Sequence, residues 1–389
     1  MGNIKMGNIR EAATYIPRES KVYAHQWFFP AAAIYAALMI PLAMLARHGF
    51  GPAALAASTG HAFEMLFGFA LALIAGYLLG PMPIRYLAWL MASWLLARVV
   101  GLVASPGWLM LVSNALFVIP FAWRLLPRLW VAKKWRNRTL APLLGLICSI
   151  ALATVLVGQF HQYDLYRHLL DESVTLFALL MAFMGGRILA PAVAGEFYRQ
   201  GRNLEARVQP LIESGLIISI IAAFVLAPIA AQLSGVLLIA SGILVGIRLL
   251  RWQLWRCLAR PDLICLGLGY AWLGLGLMLL GWVKLGTGMQ FTTSVHAITV
   301  GALGTLSLNV MVRVTLLQAK RYPSSMQQIV IMTALMSIAA ITRIGADYSG
   351  QRELLLAIAA LAWSSAFFLA LTTILLNSGI RQPSNTAGS

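Results

Sequence analysis

The chain has 389 residues, of which 60% are hydrophobic and 11% are charged, and its formal net charge is +17. A soluble domain carries about 25% charged residues, so this composition excludes an ordinary soluble globular protein. So few charges over this length indicate a chain whose apolar surface faces lipid.

Twelve apolar runs predict twelve membrane-spanning helices, because about 20 apolar residues cross a hydrocarbon core of roughly 30 Å. In chain order they cover residues 27–46, 61–80, 83–104, 108–126, 140–158, 172–193, 210–231, 234–250, 263–283, 294–313, 326–344 and 354–377. The sequence therefore predicts an all-α fold, a polytopic integral membrane helix bundle. We expect a cytoplasmic N-terminal segment over 1–26, one transmembrane domain over 27–377 and a flexible cytoplasmic tail over 378–389.

The basic residues follow the even-numbered spans. They cluster after the fourth span (Arg124, Arg128, Lys133, Lys134, Arg136, Arg138), the sixth (Arg199, Arg202, Arg207), the eighth (Arg248, Arg251, Arg256, Arg260) and the tenth (Lys320, Arg321). Lys and Arg concentrate in cytoplasmic loops of membrane proteins. We therefore expect both termini in the cytoplasm of a bacterial inner membrane. The charge sets topology, and no nucleic-acid partner is expected.

The link between the fifth and sixth spans is predicted to be a mixed-charge outer loop. It contains two histidines and three carboxylates: His161, His168, Asp164, Asp171 and Glu172. Either these residues form an ordinary solvated loop, or they offer a loose site for a divalent cation.

The dipeptide His-Ala opens two of the apolar runs, at His61 and at His296, in a chain with only six histidines. The second and tenth spans run in the same direction, so both imidazoles are predicted in the same leaflet, near the outer face. Small residues at helical spacing allow close approach of a neighbouring helix and predict that both histidines face the bundle interior. On the second span the row is Gly68, Ala72, Gly76 and Gly80. On the tenth, His296 shares a face with Val300, Gly304, Ser307 and Met311, and a second small or polar row is Gly301, Thr305 and Asn309.

An imidazole inside a membrane marks a candidate functional site. Neutral histidine ligates iron, copper and zinc, and is a common axial ligand of haem. Two inward histidines suit two bonds to one haem, or one bond each to haem and copper. The alternative is that His61 lies at the interface and is satisfied by water, with Glu64 stabilising the first helical turn.

Four arginines lie in or beside predicted spans. Arg98 and Arg343 are predicted in the leaflet of the histidines, where they would neutralise haem propionates or Glu64, or extend to the membrane surface. Arg187 is predicted on the inner side of the sixth span, and Arg313 ends the tenth span as a cytoplasmic anchor.

These segments resemble the NnrS family. Residues 61–68 (HAFEMLFG) with 75–79 (AGYLL) resemble its HAHEMLFG…AGFLL signature, and residues 296–305 (HAITVGALGT) with 310–314 (VMVRV) resemble its HALTVGAxG…VMxRV segment. Residues 185–191 (GGRILAP) are similar to its GGRxxP motif. Arg98 in WLLAR and Arg343 in ITRI resemble further family positions, and the matches occur in order along the chain.

The resemblance implies a haem- and copper-containing inner-membrane protein of denitrification and of the response to nitric oxide and nitrosative stress. It makes His61 and His296 the candidate metal ligands. The supporting or propionate-pairing candidates are Glu64, Arg98, Arg187, Arg313 and Arg343. The family has a second histidine where this chain has Phe63, so the resemblance implies that a ligand, which we assign to copper, has been lost.

Two other functions stay open on the sequence. One is a cofactor-free transporter or channel whose polar path is lined by the second and tenth spans with Glu64. The other is a membrane sensor or assembly factor without turnover. The expected partners are the lipid bilayer and nitric oxide or nitrosyl species, and the sequence does not separate catalysis from binding.

Overall fold

The computed structural model describes residues 21–104, 106–133, 138–319 and 326–377. Within these ranges, twelve helices are long and apolar enough to cross a membrane, which confirms the predicted helical membrane bundle. Residues 1–20 and 378–389, most of the predicted terminal segments, lie outside the described residues. So do four of the loop cations, Lys134, Arg136, Lys320 and Arg321.

The helices are numbered in chain order. They are α1 (His25–Arg47), α2 (Ser58–Leu78), α3 (Ile84–Val103), α4 (Trp108–Trp130), α5 (Leu140–Gln159), α6 (Tyr163–Arg199), α7 (Pro210–Leu226), α8 (Ala231–Arg251), α9 (Pro261–Lys284), α10 (Phe291–Gln318), α11 (Met326–Gly345) and α12 (Arg352–Asn377). Strands β1 (Lys21–Tyr23) and β2 (Pro81–Pro83) pair antiparallel beside the start of α1 and the end of α2.

Lipid gives an unpaired backbone group no hydrogen-bond partner, so a spanning segment forms a helix in which its peptide groups bind one another. The most deeply buried helices, α2, α6, α9 and α10, form the interior of the bundle. Large apolar side chains remain exposed on the outside, among them Trp123 (80%) and Leu211 (88%). Exposed apolar surface on this scale is stable only against lipid.

The first and last helices are joined at a proline. Pro41 has no N–H to donate to the carbonyl of Ala37 one turn earlier. The hydroxyl of Ser364 on α12 donates to that oxygen instead, at 2.8 Å, and Trp363 Nε1 donates to the neighbouring carbonyl of Ala36, also at 2.8 Å. The carbonyl group that Pro41 leaves without a partner in α1 therefore becomes an attachment point for α12.

The prediction that the link between the fifth and sixth spans is a mixed-charge outer loop is wrong for most of its length. α6 begins at Tyr163, so Arg167, His168 and Asp171 lie on the helix. The physical reason is that the segment is amphipathic, with an apolar face formed by Leu165, Tyr166, Leu169 and Leu170. Hydropathy averaged over all residues of the segment includes the charged face and therefore hides the apolar one. Among the described residues no group of three or more His, Cys, Asp or Glu side chains could hold a metal ion, so the loose divalent-cation site does not form.

Both histidine-bearing helices contain a π-helical stretch within three residues after the histidine. Residues Glu64–Phe69 of α2 and Ala297–Gly304 of α10 are π-helical. A π turn adds one residue to the regular helical repeat, so it rotates every later side chain relative to a 3.6-residue pattern. The predicted face therefore holds at His61 and fails farther along α2.

The row of small residues on α2 shows this failure. A Cβ atom at Gly68 would lie 2.9 Å from the guanidinium of Arg98, and one at Gly76 would lie 2.6 Å from the ring of Phe29. The row does admit close neighbours, as predicted. It faces α3 and then α1, however, and not the space that His61 lines.

Candidate functional site

His61 and His296 line one cavity of about 670 Å³ at one end of the bundle. It lies between the end of α1, the first halves of α2, α6, α10 and α12, and the end of α11. We call it the histidine cavity and define it by His61, Met65, Arg167, Asp171, His296 and Arg343. The structure thus brings together two histidines separated by more than half of the chain.

A hydrogen-bond network fixes His296. Its Nδ1 atom lies 2.7 Å from the carbonyl oxygen of Thr292, one turn earlier on α10. The hydroxyl of Thr292 donates to Asp347 Oδ2 at 2.7 Å, and Arg343 Nη1 donates to Asp347 Oδ1 at 2.9 Å. One carboxylate therefore ties the start of α10 to the end of α11, and with them a histidine and an arginine of the cavity.

This network decides which imidazole nitrogen of His296 is free. A carbonyl oxygen only accepts, so Nδ1 carries the proton and donates to Thr292. Nε2 then keeps its lone pair, which is the arrangement of a metal-ligating histidine whose other nitrogen is hydrogen-bonded.

His61 differs, because its Nδ1 atom is buried and has no hydrogen-bond partner among the described residues. A buried polar atom without a partner costs free energy, and each such atom calls for an explanation such as a missing ligand. Met65, one turn along α2, also lines the cavity.

The charged lining is mainly basic. Four arginines line the histidine cavity, and only Arg343 was proposed for this place from the sequence; the others are Arg47, Arg167 and Arg352. Asp171 is the one carboxylate among its lining residues. Arg167 and Asp171 were assigned to a loop, although their spacing with Leu170 and Val174 is that of a helix face and could have placed them.

Glu64 and Arg98 do not line the histidine cavity but pair with each other, which is one of the two roles predicted for Arg98. Arg98 Nη1 donates to Glu64 Oε2 at 2.5 Å and its Nη2 donates to Asn114 Oδ1 at 2.5 Å. The hydroxyl of Tyr35 also donates to Glu64 Oε2. Glu64 and Arg98 are 2% and 3% exposed, so each is the charge partner that allows the other to be buried.

Two neighbours complete this ion-pair cluster of Tyr35, Glu64, Arg98 and Asn114. A Cβ atom at Gly101 would lie 2.3 Å from Glu64 Oε1, so only glycine leaves room for the carboxylate. The ring of Phe63 packs against Phe67 and lies 5.9 Å from the guanidinium carbon of Arg98. The position where the family pattern has a second histidine therefore lies beside the ion-pair cluster and not among the residues of the histidine cavity.

Arg187 and Arg313 also lie outside the histidine cavity, in the other half of their helices. Arg313 Nη1 donates to Asp262 Oδ2 at 2.6 Å, and Asp262 also accepts two hydrogen bonds from Arg260. Arg187 lines a small separate cavity with Glu213 and Arg248. Both lie away from the histidines, as their predicted places in the spans require, and neither lines the histidine cavity, so a role for either arginine at a cofactor stays a prediction.

The two glycines before Arg187 make room for a buried network that sequence reasoning missed. Arg248, which we had assigned to the edge of a loop, donates to Glu213 Oε1 at 2.7 Å and to the hydroxyl of Tyr270 at 3.0 Å. A Cβ atom at Gly186 would lie 2.1 Å from the Arg248 guanidinium, and one at Gly185 would lie 2.2 Å from the Tyr270 ring. The motif that carries the resemblance is thus a packing site here.

A family model described as NnrS protein matches residues 22–376. The chain belongs to the NnrS family. The matched range contains all twelve helices except the last residue of α12, and it includes both histidines, all four cavity arginines and the ion-pair cluster. No curated protein matches the chain. Membership accounts for the ordered motif matches in α2, α6 and α10 and for the multi-pass membrane fold.

The residues of the histidine cavity fit a haem. Pockets for small molecules and cofactors occupy about 300–1,000 Å³, a range that includes this cavity. The histidines offer ligating nitrogens from two helices, and the arginines offer partners for two carboxylates. Apolar side chains that also line the cavity, such as Leu66, Phe69 and Trp363, suit the faces of a macrocycle.

Proposed function

We propose that this NnrS-family protein binds one haem in the histidine cavity, where His61 and His296 are the residues that would hold the iron, and that nitric oxide or a nitrosyl species binds in the same cavity. The observation that carries the proposal is that two histidines from separate helices line one cavity together with four arginines. A bound haem would supply an iron centre for nitric oxide. The protein would supply the ligands, the charge balance and a membrane-embedded pocket.

The arginines support haem over a bare metal ion. A cationic lining repels a metal cation and attracts the carboxylates of a haem. Arg343, held by Asp347, is placed to pair with one of them. Arg47, Arg167 and Arg352 are more exposed and would hold charge at the mouth of the cavity.

Copper is a weaker part of the proposal. The lining of the histidine cavity includes two histidines and Met65 as ligands of the kind that copper prefers. Phe63, beside Arg98, adds no ligand. We therefore infer haem as the principal cofactor of this chain, with nitric-oxide tolerance or denitrification as its physiological setting.

The transporter alternative has less support. It requires a polar path that includes Glu64. That carboxylate is paired with Arg98 and Tyr35 outside the cavity, and the space between α2, α6 and α10 beyond the cavity is apolar.

We place the protein in the bacterial inner membrane with its histidine end toward the periplasm. Support for this orientation comes from the loop cations, which follow the even-numbered helices. The ends of α4, α6, α8 and α10 are all opposite the end at which α2 and α10 begin.

The proposal is tested by the optical spectrum of protein purified after haem-replete expression. We expect a Soret band in the wild type, and its loss or conversion to a five-coordinate form in His61→Ala and His296→Ala. Added imidazole should restore the six-coordinate spectrum in either variant. His168→Ala is the matched control, since His168 is an exposed histidine at the same end of the bundle. A wild type without haem would overturn the proposal.

A further inference from the structure

A second cavity, of about 90 Å³, lies between α2, α6, α9 and α10, and no polar atom contributes to its surface. We call it the apolar cavity and define it by Ala70, Leu73, Phe177, Met181, Leu303 and Leu306. Nothing in the proposed haem site uses it. Its lining includes the half-buried Leu73, Tyr77 and Met184, so the space is partly open and not fully enclosed. Packing closes most such gaps, so an apolar space of this size is unusual.

The apolar cavity continues the histidine cavity along the same three helices. On α2 the lining passes from Phe69 in one cavity to Ala70 in the other, and on α6 it passes from Val174 to Phe177. On α10, Leu303 lines both. A single leucine side chain therefore belongs to the wall of both spaces.

The lining restricts what can occupy the space. A buried water needs two to four polar partners, which this surface does not offer, and comparable cavities lined by Leu, Ile and Phe stay dry and bind benzene or xenon. Ions are excluded for the same reason. The volume suits a molecule of a few atoms, and such uncharged molecules dissolve in the surrounding lipid.

We propose that the apolar cavity is a binding site for small uncharged gas molecules, from which they reach the histidine cavity past Leu303. Passage of nitric oxide to a haem rests on the proposed function, whereas gas binding in the apolar cavity does not. The π-helical stretches give this arrangement a structural origin. They end at Phe69 and Gly304, at the level where the two cavities meet.

Xenon is the probe for the binding site. Crystals of the full chain pressurised with xenon should show an anomalous peak between Ala70, Phe177 and Leu303. Ala70→Leu, which fills the space, should lose that peak, while Ala70→Ser, which keeps nearly the same volume, should retain it. Absence of the peak in wild-type crystals that bind xenon elsewhere would overturn the inference, and so would density for a continuous alkyl chain.

Passage to the histidine cavity is tested on haem-loaded protein by flash photolysis of bound nitric oxide. The Ala70→Leu variant should lose the slow phase of geminate rebinding, which reports ligand held in a nearby cavity, and Ala70→Ser should keep it. Unchanged rebinding in a variant that no longer binds xenon would refute the passage. A xenon peak in protein that never binds haem would sustain the gas site and refute the proposed function, so the two failures are distinguishable.

Discussion

His296 Nδ1 lies 2.7 Å from the carbonyl oxygen of Thr292, and this contact fixes both the ring and its tautomer. Histidines that ligate metals usually donate their second nitrogen to a carbonyl or carboxylate in this manner. Here the partner is the backbone of the same helix. Thr292 is itself held by Asp347, so the orientation of His296 depends on a carboxylate that does not line the histidine cavity.

Asp347→Asn should destabilise the histidine end of the bundle. Burial alone would raise the pKa of Asp347, but hydrogen bonds from Thr292, Arg343 and Thr293 hold the pKa of its carboxyl below the usual range. A lowered folded-state pKa stabilises the protein above the unfolded pKa of about 4, and this contribution is lost as pH falls through the folded value. We expect a loss of about 1–3 kcal/mol at pH 7.

The measurement is thermal unfolding of wild type and Asp347→Asn in detergent between pH 7 and pH 3. The difference between their melting temperatures should be constant near neutral pH and should shrink below about pH 4. Glu205→Gln changes an exposed carboxylate and should leave the melting temperature unchanged. A difference that grows as the pH falls would contradict the role assigned to Asp347.

The cavity arginines should control how firmly haem is held. Arg343 is 17% exposed at its side chain, whereas Arg47 and Arg352 are exposed, so water and salt weaken their ion pairs. Exposed pairs contribute about 0.2–1 kcal/mol each. We expect haem transfer to an apo-globin acceptor to quicken about two- to fivefold in Arg47→Gln or Arg352→Gln, and more in Arg343→Gln. Since 1.4 kcal/mol is about tenfold, such changes are measurable.

The same transfer assay contains its own control. Arg256→Gln removes an exposed arginine at the opposite end of the bundle, and the rate should not change. High salt should reduce the effect of the Arg47 and Arg352 variants more than that of Arg343→Gln, because exposed charges are screened more strongly. If haem transfer from all three cavity variants were as slow as from the wild type, the arginines would have no role in holding haem.

Glu64→Gln and Arg98→Leu should act on stability and spare haem binding. Removing one partner of a buried ion pair leaves the other charge unpaired, at a cost of about 3–5 kcal/mol. The double variant Glu64→Gln/Arg98→Leu should be less damaging than the sum of the single changes, because it leaves no buried charge. Denaturant unfolding measures the first effect, and the Soret absorbance per folded molecule measures the second. Loss of the Soret band without a change in stability would show instead that Glu64 and Arg98 take part in haem binding.

Hydropathy predicted the twelve helices, because lipid imposes the length of a span, and loop charge placed both histidines at the same end of the bundle. The sequence offered Glu64 as one partner of Arg98, but it did not predict that this pair lies outside the histidine cavity. Glu64 is three residues from His61 and faces α3 instead of the cavity. Only the packing of α1, α3 and α4 around it explains why.

The π-helical stretches mark another limit of sequence patterns. A 3.6-residue repeat drawn through His61 leads to Gly68, which contacts Arg98 in the structure. A π turn depends on tertiary packing along the whole helix, and no short motif in residues 64–69 predicts it. Arg167 and Asp171 were missed for a different reason: charged residues lowered the local hydropathy and hid the start of α6.

The glycines before Arg187 provide the sharpest test of the packing assigned to the family motif. Gly186→Ala places a methyl group against the Arg248 guanidinium, and Gly185→Ala places one against the Tyr270 ring, so both changes overpack a buried network. Such overpacking costs about 1–3 kcal/mol. Gly195→Ala on the same helix is the matched control, since a Cβ there has no atom within 4 Å and alanine favours the helix by roughly 0.5–1 kcal/mol. The melting temperature should therefore fall for Gly186→Ala and Gly185→Ala, and it should stay the same or rise for Gly195→Ala. The haem content per folded molecule should be unchanged in all three variants. Haem loss in Gly186→Ala without destabilisation would show instead that the motif serves the cofactor.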